Sequence, residues 1–252
     1  MLNTWENFVG IALAVGASLF FMWTLNRLWA PDSRHVNNNL IGWQLSVLGT
    51  TYAVILGFML YTVWNDFGLA NLNVENEAND MANLYRIAAG LPDPQKGQIE
   101  TLVRSYADSV THQDWPQMAA DQIPETSGKI NQELWKTLMS VRAASPTENI
   151  ALDHALSELS ALTEHRRIRV VQSAFRLPSV LWCVLIIGGV VTIASTAMFG
   201  SANRFLHAFQ VFCFSLLVAL VLLAVADIDR PFQGSIHVSD YAFQRAQTHM
   251  QD

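Results

Sequence analysis

Four long apolar runs constrain this chain more than any other feature. They lie at about residues 8–29, 41–64, 178–199 and 205–226, and polar residues bound each of them. A helix needs about 20 apolar residues to cross the roughly 30 Å hydrocarbon core of a bilayer, where it must satisfy its own backbone hydrogen bonds. The sequence therefore predicts an all-α integral membrane protein with four transmembrane helices.

Composition supports this assignment. Hydrophobic residues make up 51% of the chain and charged residues only 14%, whereas a soluble domain has about 25% charged residues. No stretch combines clustered basic residues with aromatic ones, so nucleic acid is not an expected partner. Cys183 and Cys213 fall inside apolar runs and are expected to be free thiols that face lipid or other helices.

A polar stretch over residues 65–177 predicts a helical aqueous domain inserted between the second and third spans. From Asn65 to Ala89 apolar residues recur at helical spacing without a proline, so the second span is expected to continue into water as one long helix. Gly90 and Pro92 should end it. The aqueous domain is also expected to extend the third span, through a preceding helix that runs to Arg176, just before Leu177 and Pro178.

The rest of the chain predicts three more helices, one turn and a tail. The helices are expected over residues 94–113, 127–144 and 146–176, and Ser145 should cap the last one. Residues 114–116 predict a turn, because Pro116 follows Asp114 and Trp115 there. The predicted regions are therefore the first two spans (1–64), the aqueous domain (65–177), the last two spans (178–226) and a C-terminal tail (227–252).

Arginines near the ends of the spans indicate the orientation in the membrane. The side that holds both termini carries Arg166, Arg167, Arg169, Arg176 and Arg230, and the side with the short loops carries Arg27, Arg34 and Arg204. Cytoplasmic segments next to a span carry an excess of Lys and Arg. The sequence thus predicts a multi-pass protein of the cell membrane with its termini and large domain in the cytoplasm.

No motif in the sequence indicates an enzyme. The chain has no P-loop, no G-x-G-x-x-G, no H-E-x-x-H and no paired-cysteine pattern. His154 and His165 are about 16 Å apart along one predicted helix, too far to share a metal. No catalytic residue, cofactor or metal site is therefore assigned. Gly188 and Gly189, in the middle of the third run, predict close packing against another helix.

One face of the second span is the best pore candidate. Thr51, Ile55, Met59, Thr62 and Asp66 recur at helical offsets, so they share that face. Around an axis of identical subunits, Ile55 and Met59 would form apolar constrictions, and Thr62 and Asp66 a polar and an acidic ring. Asp66 and the acidic aqueous domain favour cations. The alternative is ordinary packing of this face against neighbouring helices.

Five segments carry a resemblance to a known family. They are GTTYAVILGFMLYTVW at 49–64, NVENEANDMANLYRIAAGLP at 73–92, SYADSVTHQDWP at 105–116, RRIRVVQSAFRLPSVLW at 166–182 and ADIDRPFQGSIHV at 226–238. Together they resemble the bestrophins, and more closely the bacterial bestrophin-like domain family, from Gly42 to Val238. The resemblance implies a pentameric ion channel of the bacterial inner membrane, lined by the second span, whose partners are lipid, inorganic ions and its own copies.

The resemblance also draws attention to the segment after the fourth span. Its membrane-edge motif comprises Asp227, Asp229, Arg230, Pro231, Phe232 and Gly234. Pro231, Phe232 and Gly234 look like the bestrophin segment that precedes a calcium-binding acidic run. Residues 235–238 are not acidic in this chain, so no calcium site is expected. Phe58 is expected to replace Met59 as a constriction if the pore helix is rotated.

Two other functions remain open at this point. The first is a non-conducting membrane protein that uses its acidic domain for docking or sensing. The second is a small-solute transporter, although spans two and four carry no charged residue in their central parts, where coupled transporters usually need one. The number of subunits would distinguish these functions from a channel.

Overall fold

The computed structural model of the chain describes residues 4–250, which form helices and no strand. The helices are α1 (Thr4–Leu28), α2 (Pro31–His35), α3 (Asn38–Ala88), α4 (Gln95–Ser109), α5 (Trp115–Ala119), α6 (Thr126–Met139), α7 (Pro146–Ala174), α8 (Ser179–Ala197), α9 (Arg204–Ile228) and α10 (Tyr241–His249). A π-helical turn, Val110–Asp114, joins α4 to α5. The predicted all-α fold class is confirmed.

Four of these helices are long and apolar enough to cross a membrane, namely α1, α3, α8 and α9. The chain divides into two compact units. The first unit comprises residues 1–65 and 176–229 and holds the apolar parts of the four helices. The second unit comprises residues 66–175 and 230–252, so the C-terminal tail folds with the aqueous helices.

The second span continues as one helix, as the sequence predicts. α3 has 51 residues and contains no proline, and it ends at Ala88, just before Gly90. The third span begins differently, because α7 ends at Ala174 and α8 begins at Ser179. Pro178 has no N–H to donate and disfavours the helical conformation at the residue before it, so the helix is interrupted there.

Close packing in the first unit centres on one tyrosine of α3. The ring of Tyr52 lies against Gly188 and Gly189, where an added Cβ would be 2.7 Å from Tyr52 Cδ2 and 2.9 Å from Tyr52 Oη, respectively. The Tyr52 hydroxyl donates to the Leu185 carbonyl oxygen at 2.9 Å. Small residues let helices approach each other closely in lipid, and the packing role predicted for these glycines is confirmed.

A buried arginine holds the short connections of the first unit together. Arg34 of α2 is fully buried and donates to the carbonyl oxygens of Ala197 at 3.1 Å and Met198 at 3.5 Å. It also donates to the side-chain oxygen of Asn26. The last carbonyls of a helix have no partner within it and attract positive charge. Arg34 thus caps the C-terminal end of α8.

The second unit has its own apolar core, built from α3, α4, α6, α7 and α10. Its fully buried members include Leu84, Tyr106, Leu138, Leu159 and Phe243. The side chain of Ser145 accepts a hydrogen bond from the Glu148 N–H, so the predicted cap of α7 is confirmed.

Two features of the second unit differ from the sequence-based expectation. The turn predicted at residues 114–116 is wrong, because the chain stays helical through the π-turn into α5. Pro116 is compatible with this path, since the first turn of a helix does not need its N–H. The tail, left without assigned structure, forms α10 and buries Phe243.

Candidate functional site

The predicted pore residues of α3 have different surroundings within the first unit. Thr51, Phe58 and Thr62 are exposed, whereas Ile55 and Met59 are half-buried. The buried side of this part of α3 is formed by Ile41, Tyr52, Leu56 and Val63. Asp66 is half-buried at the start of the second unit.

An outward face of α3 can be defined by residues that are exposed in the first unit. Its members are Val47, Thr50, Thr51, Val54, Phe58, Tyr61, Thr62 and Asn65. The face combines apolar and polar groups, and the Thr50 and Thr62 hydroxyls donate to carbonyl oxygens four residues earlier in the helix. The central turns of α1, α8 and α9 expose apolar side chains instead, such as Leu13, Phe20, Val184, Ile187 and Leu220.

The membrane-edge motif is divided between the two units. In the first unit, Asp227 is half-buried, and a side-chain oxygen of Asp229 accepts a hydrogen bond from the Leu177 N–H at 2.9 Å. This bond ties the end of α9 to the segment that leads into α8. The motif therefore anchors the start of the third span to the end of the fourth.

The remaining residues of the motif belong to the second unit. Arg230 is exposed, while Pro231 and Phe232 are buried, and the Phe232 ring meets the Trp115 ring edge-on at 5.6 Å. Gly234 has φ 82°, a backbone conformation that glycine adopts without a Cβ clash.

Hydrogen bonds also hold this segment in place. The Gln233 amide donates to the Met118 carbonyl oxygen at 3.0 Å and to Asp121 at 3.2 Å. The Trp115 indole N–H donates to the Val238 carbonyl oxygen at 3.2 Å. The first residues of the tail are thus fastened to α5 and the loop after it.

A buried ionic cluster lies at the centre of the second unit, and its members are Glu77, Tyr106, Asp114, Ser127 and Arg169. Arg169 donates to both oxygens of Glu77, at 2.7 and 3.0 Å, and to Asp114 Oδ2 at 2.9 Å. Tyr106 donates to Glu77 at 2.6 Å and Ser127 to Asp114 at 2.5 Å. The three charged side chains are fully buried. The cluster joins α3, α4, the π-turn, α6 and α7.

The electrostatics of the ionic cluster keep Arg169 charged. Burial would lower the pKa of its guanidinium, but the Glu77 carboxylate outweighs burial and raises that pKa above its ordinary value. Burial and the Glu77 charge raise the pKa of the Tyr106 hydroxyl well above its ordinary value. A buried charge is tolerated only when it is paired and hydrogen-bonded. Arg169 and Glu77 meet that requirement, whereas Asp114 meets it through Oδ2 only, since its Oδ1 is buried without a hydrogen-bond partner among residues 4–250.

A second contact between α3 and α7 involves His165, whose Nδ1 lies 2.6 Å from Asp80 Oδ2. The Asn73 amide donates to the His165 carbonyl oxygen at 2.8 Å. Burial raises the pKa of the Asp80 carboxyl, although His165 acts in the opposite direction. Within residues 4–250, no group of three or more His, Cys, Asp or Glu side chains is arranged to hold a metal ion.

Sequence reasoning missed the ionic cluster and treated Arg169 as a charge at the membrane edge. A signal was present, because Glu77 shares a helical face with Val74, Met81 and Leu84, which are buried. A charged residue on an apolar stripe needs a buried partner. The spacing along one helix cannot name that partner, which is 92 residues away.

Solved structures share this fold. A crystal structure of a mutant bacterial bestrophin homolog from Klebsiella pneumoniae matches with a TM-score of 0.73 and 13% identity, covering 98% of this chain and 100% of that chain. Crystal structures of two membrane-protein variants match with TM-scores of 0.69 and 0.67, each at 14% identity, covering 98% and 96% of both chains. No curated protein matches the sequence. The profile of the bestrophin-like domain matches residues 12–243, and the chain therefore belongs to the bestrophin-like domain family.

Proposed function

We propose that this protein forms a homo-oligomeric ion channel, a pentamer whose pore is lined by α3. Family membership and the fold of a bacterial bestrophin homolog support a channel of the bestrophin-like kind. The observation that carries the choice of α3 is its outward face, which mixes polar and apolar groups in the membrane-spanning part. Polar groups within a span usually face a bundle interior or a water-filled path rather than lipid.

The exposure of each side chain also indicates which residues of α3 line the proposed pore. Thr51, Phe58 and Thr62 reach the axis in this proposal, and the half-buried Ile55 and Met59 lie to one side of it. Phe58, with 65% of its surface exposed, provides the apolar constriction in place of Met59. An apolar ring of this kind gates a channel by excluding water.

Charge supports a preference for cations. Asp66 follows Asn65 directly at the end of the outward face. The sequence of the second unit carries 17 Asp and Glu against 11 Lys and Arg. A pore mouth with one sign of charge concentrates ions of the opposite sign.

Recording from purified protein in planar bilayers tests conduction and the role of Phe58. Phe58→Ala should raise the unitary conductance, because the constriction loses its ring. Phe20→Ala is a matched control, since Phe20 of α1 is also 65% exposed in the first unit. Equal currents from the two variants would reject α3 as the lining helix. A subunit count other than five, measured by mass photometry, would reject the pentamer.

Reversal potentials across a salt gradient test the preference for cations. Asp66→Asn should shift the reversal potential towards that of an anion-permeable pore. Asp32→Asn removes an exposed carboxylate of α2 in the first unit and serves as the control. An unchanged reversal potential in Asp66→Asn would remove the acidic ring from the proposal.

A further inference from the structure

A cavity of about 810 Å³ lies in the first unit, between the start of α3, the end of α8 and the start of α9. Its volume falls within the range of about 300–1,000 Å³ that small-molecule sites occupy. His35, Asn38 and Ser201 line it near the short connections between spans. These connections lie where a spanning helix leaves the hydrocarbon, so one end of the cavity is at the membrane surface.

The lining mixes polar and apolar residues near the connections and is apolar at its deep end. Leu45 lies seven residues into α3 from Asn38, and Leu217 eleven residues into α9 from Leu206, which is about 10 Å and 16 Å along the helix axes. The deeper lining also includes Phe214. Phe209 and Leu217 are more than half exposed, so the cavity is open towards the hydrocarbon. A ligand that matches it has a polar end and an apolar tail.

The walls of the cavity are fixed by hydrogen bonds and close packing. The Asn38 side chain donates to the Gly200 carbonyl oxygen at 2.8 Å and accepts from the Gly200 N–H at 2.9 Å. An added Cβ on Gly200 would lie 2.5 Å from the backbone nitrogen of His35. His207 is 3% exposed, with Nε2 3.2 Å from the Thr196 carbonyl oxygen. The cavity is therefore a preformed feature of the fold.

The polar end of the cavity lies in a positive environment. Arg34 precedes the lining residue His35, and its hydrogen bonds go to neutral oxygens. Among residues 4–250, no carboxylate lies within ion-pair distance of its guanidinium. Arg27 and Arg204 are exposed at the same connections, against a single acid, Asp32. Positive charge at the depth of the headgroups attracts anionic lipids.

We propose that this cavity binds one anionic phospholipid from the bilayer. The phosphate lies at the end formed by His35 and Ser201, and an acyl chain follows Phe214 and Leu217 along α9. The apolar deep end, the opening to hydrocarbon and the positive charge select this occupant. The site does not depend on ion conduction.

Native mass spectrometry of the full chain, purified with phosphatidylglycerol or with phosphatidylcholine, tests the site. Two free, exposed cysteines provide a matched pair: Cys213 lines the cavity, and Cys183 lies on α8 and does not line it. Cys213→Trp should fill the cavity and lower phosphatidylglycerol retention by about tenfold, equivalent to roughly 1.4 kcal/mol. Cys183→Trp should leave retention unchanged.

Ser201→Asp provides a second test that does not fill the cavity, because Ser201 lines it in the connection before α9. The new carboxylate at the polar end should weaken phosphatidylglycerol retention and leave phosphatidylcholine retention unchanged, because it repels an anionic headgroup. This variant also decides the matter if Cys213→Trp fails to fold.

Three results would overturn the proposal. The first is equal retention of the two lipids by the unaltered chain. The second is wild-type retention of phosphatidylglycerol by both Cys213→Trp and Ser201→Asp. The third is a changed subunit count in Cys213→Trp with lipid retention preserved, which would place a second copy of the chain in the cavity.

Discussion

Arg169 donates two parallel hydrogen bonds to Glu77, from Nε to Oε2 at 2.7 Å and from Nη2 to Oε1 at 3.0 Å, and both side chains are fully buried. Arg169→Leu should therefore lower the free energy of unfolding by about 3–5 kcal/mol, because it leaves buried carboxylates without their cation. Arg169→Lys should rescue only part of this loss, since an ammonium cannot reproduce the two-pronged geometry. Unfolding in detergent, followed by helical circular dichroism, measures both.

The control for this prediction is Arg167→Leu on the same helix. Arg167 pairs with Glu164, but both side chains are more than half exposed, and solvent screens such an exposed pair so that it contributes little to stability. Equal destabilisation by Arg167→Leu and Arg169→Leu would contradict the role given to the ionic cluster.

Gly188→Ala should destabilise the first unit. The new Cβ would lie 2.7 Å from the Tyr52 ring, and overfilling a packed site costs about 1–3 kcal/mol. A fall in Tm, measured in detergent, checks this. Gly57→Ala is the control, because no side chain lies within 4 Å of its added Cβ. Adding Tyr52→Ala to Gly188→Ala removes the clash, so the loss caused by Gly188→Ala should shrink in that background.

Asp80 should contribute a pH dependence of stability. Burial raises its pKa in the folded chain, whereas the unfolded chain loses this proton at its ordinary pKa of about 3.9. As the pH rises from that value to the raised one, the unfolded state binds fewer protons at this site, so the free energy of unfolding falls. Above the raised pKa the contribution is constant.

Asp80→Asn tests this assignment. The variant should lack the decrease in stability that Asp80 causes as the pH rises across that window. Denaturant unfolding at a series of pH values from about 4 to 6 measures the slope. Asp153→Asn, which removes an exposed carboxylate of α7, should keep the wild-type slope. Parallel slopes for Asp80→Asn and the wild type would exclude Asp80 as the source.

Phe232→Ala should release the tail from the other helices of the second unit. Phe232 is buried against Trp115, and truncating a buried Phe costs about 3–5 kcal/mol. Limited proteolysis should then cut near α10 faster than in the wild type. Ile236→Ala alters an exposed side chain of the same segment and should leave the cleavage rate unchanged. Cleavage of Phe232→Ala at the wild-type rate would mean that other contacts hold the tail.

The features that could be predicted from the sequence are those that local patterns determine. The length of the apolar runs indicates four spans, proline-free periodicity indicates the long α3, and Ser145 marks the start of α7. The ionic cluster could not be predicted, because Glu77 and Arg169 meet through the packing of α3 on α7. The buried side of α3, which carries Tyr52, could not be predicted either. Periodicity shows that the faces of a helix differ in polarity, but it does not show which face packs against the neighbouring helices.

The 51 residues of α3 form one rod, about 76 Å long. Its outward face carries Phe58 in the first unit, and its buried face carries Glu77 in the second, about five turns further on. No proline interrupts this rod, so each backbone N–H along it can donate to the carbonyl oxygen four residues earlier. The ladder of backbone hydrogen bonds therefore continues without a break from the turn that carries Phe58 to the turn that carries Glu77.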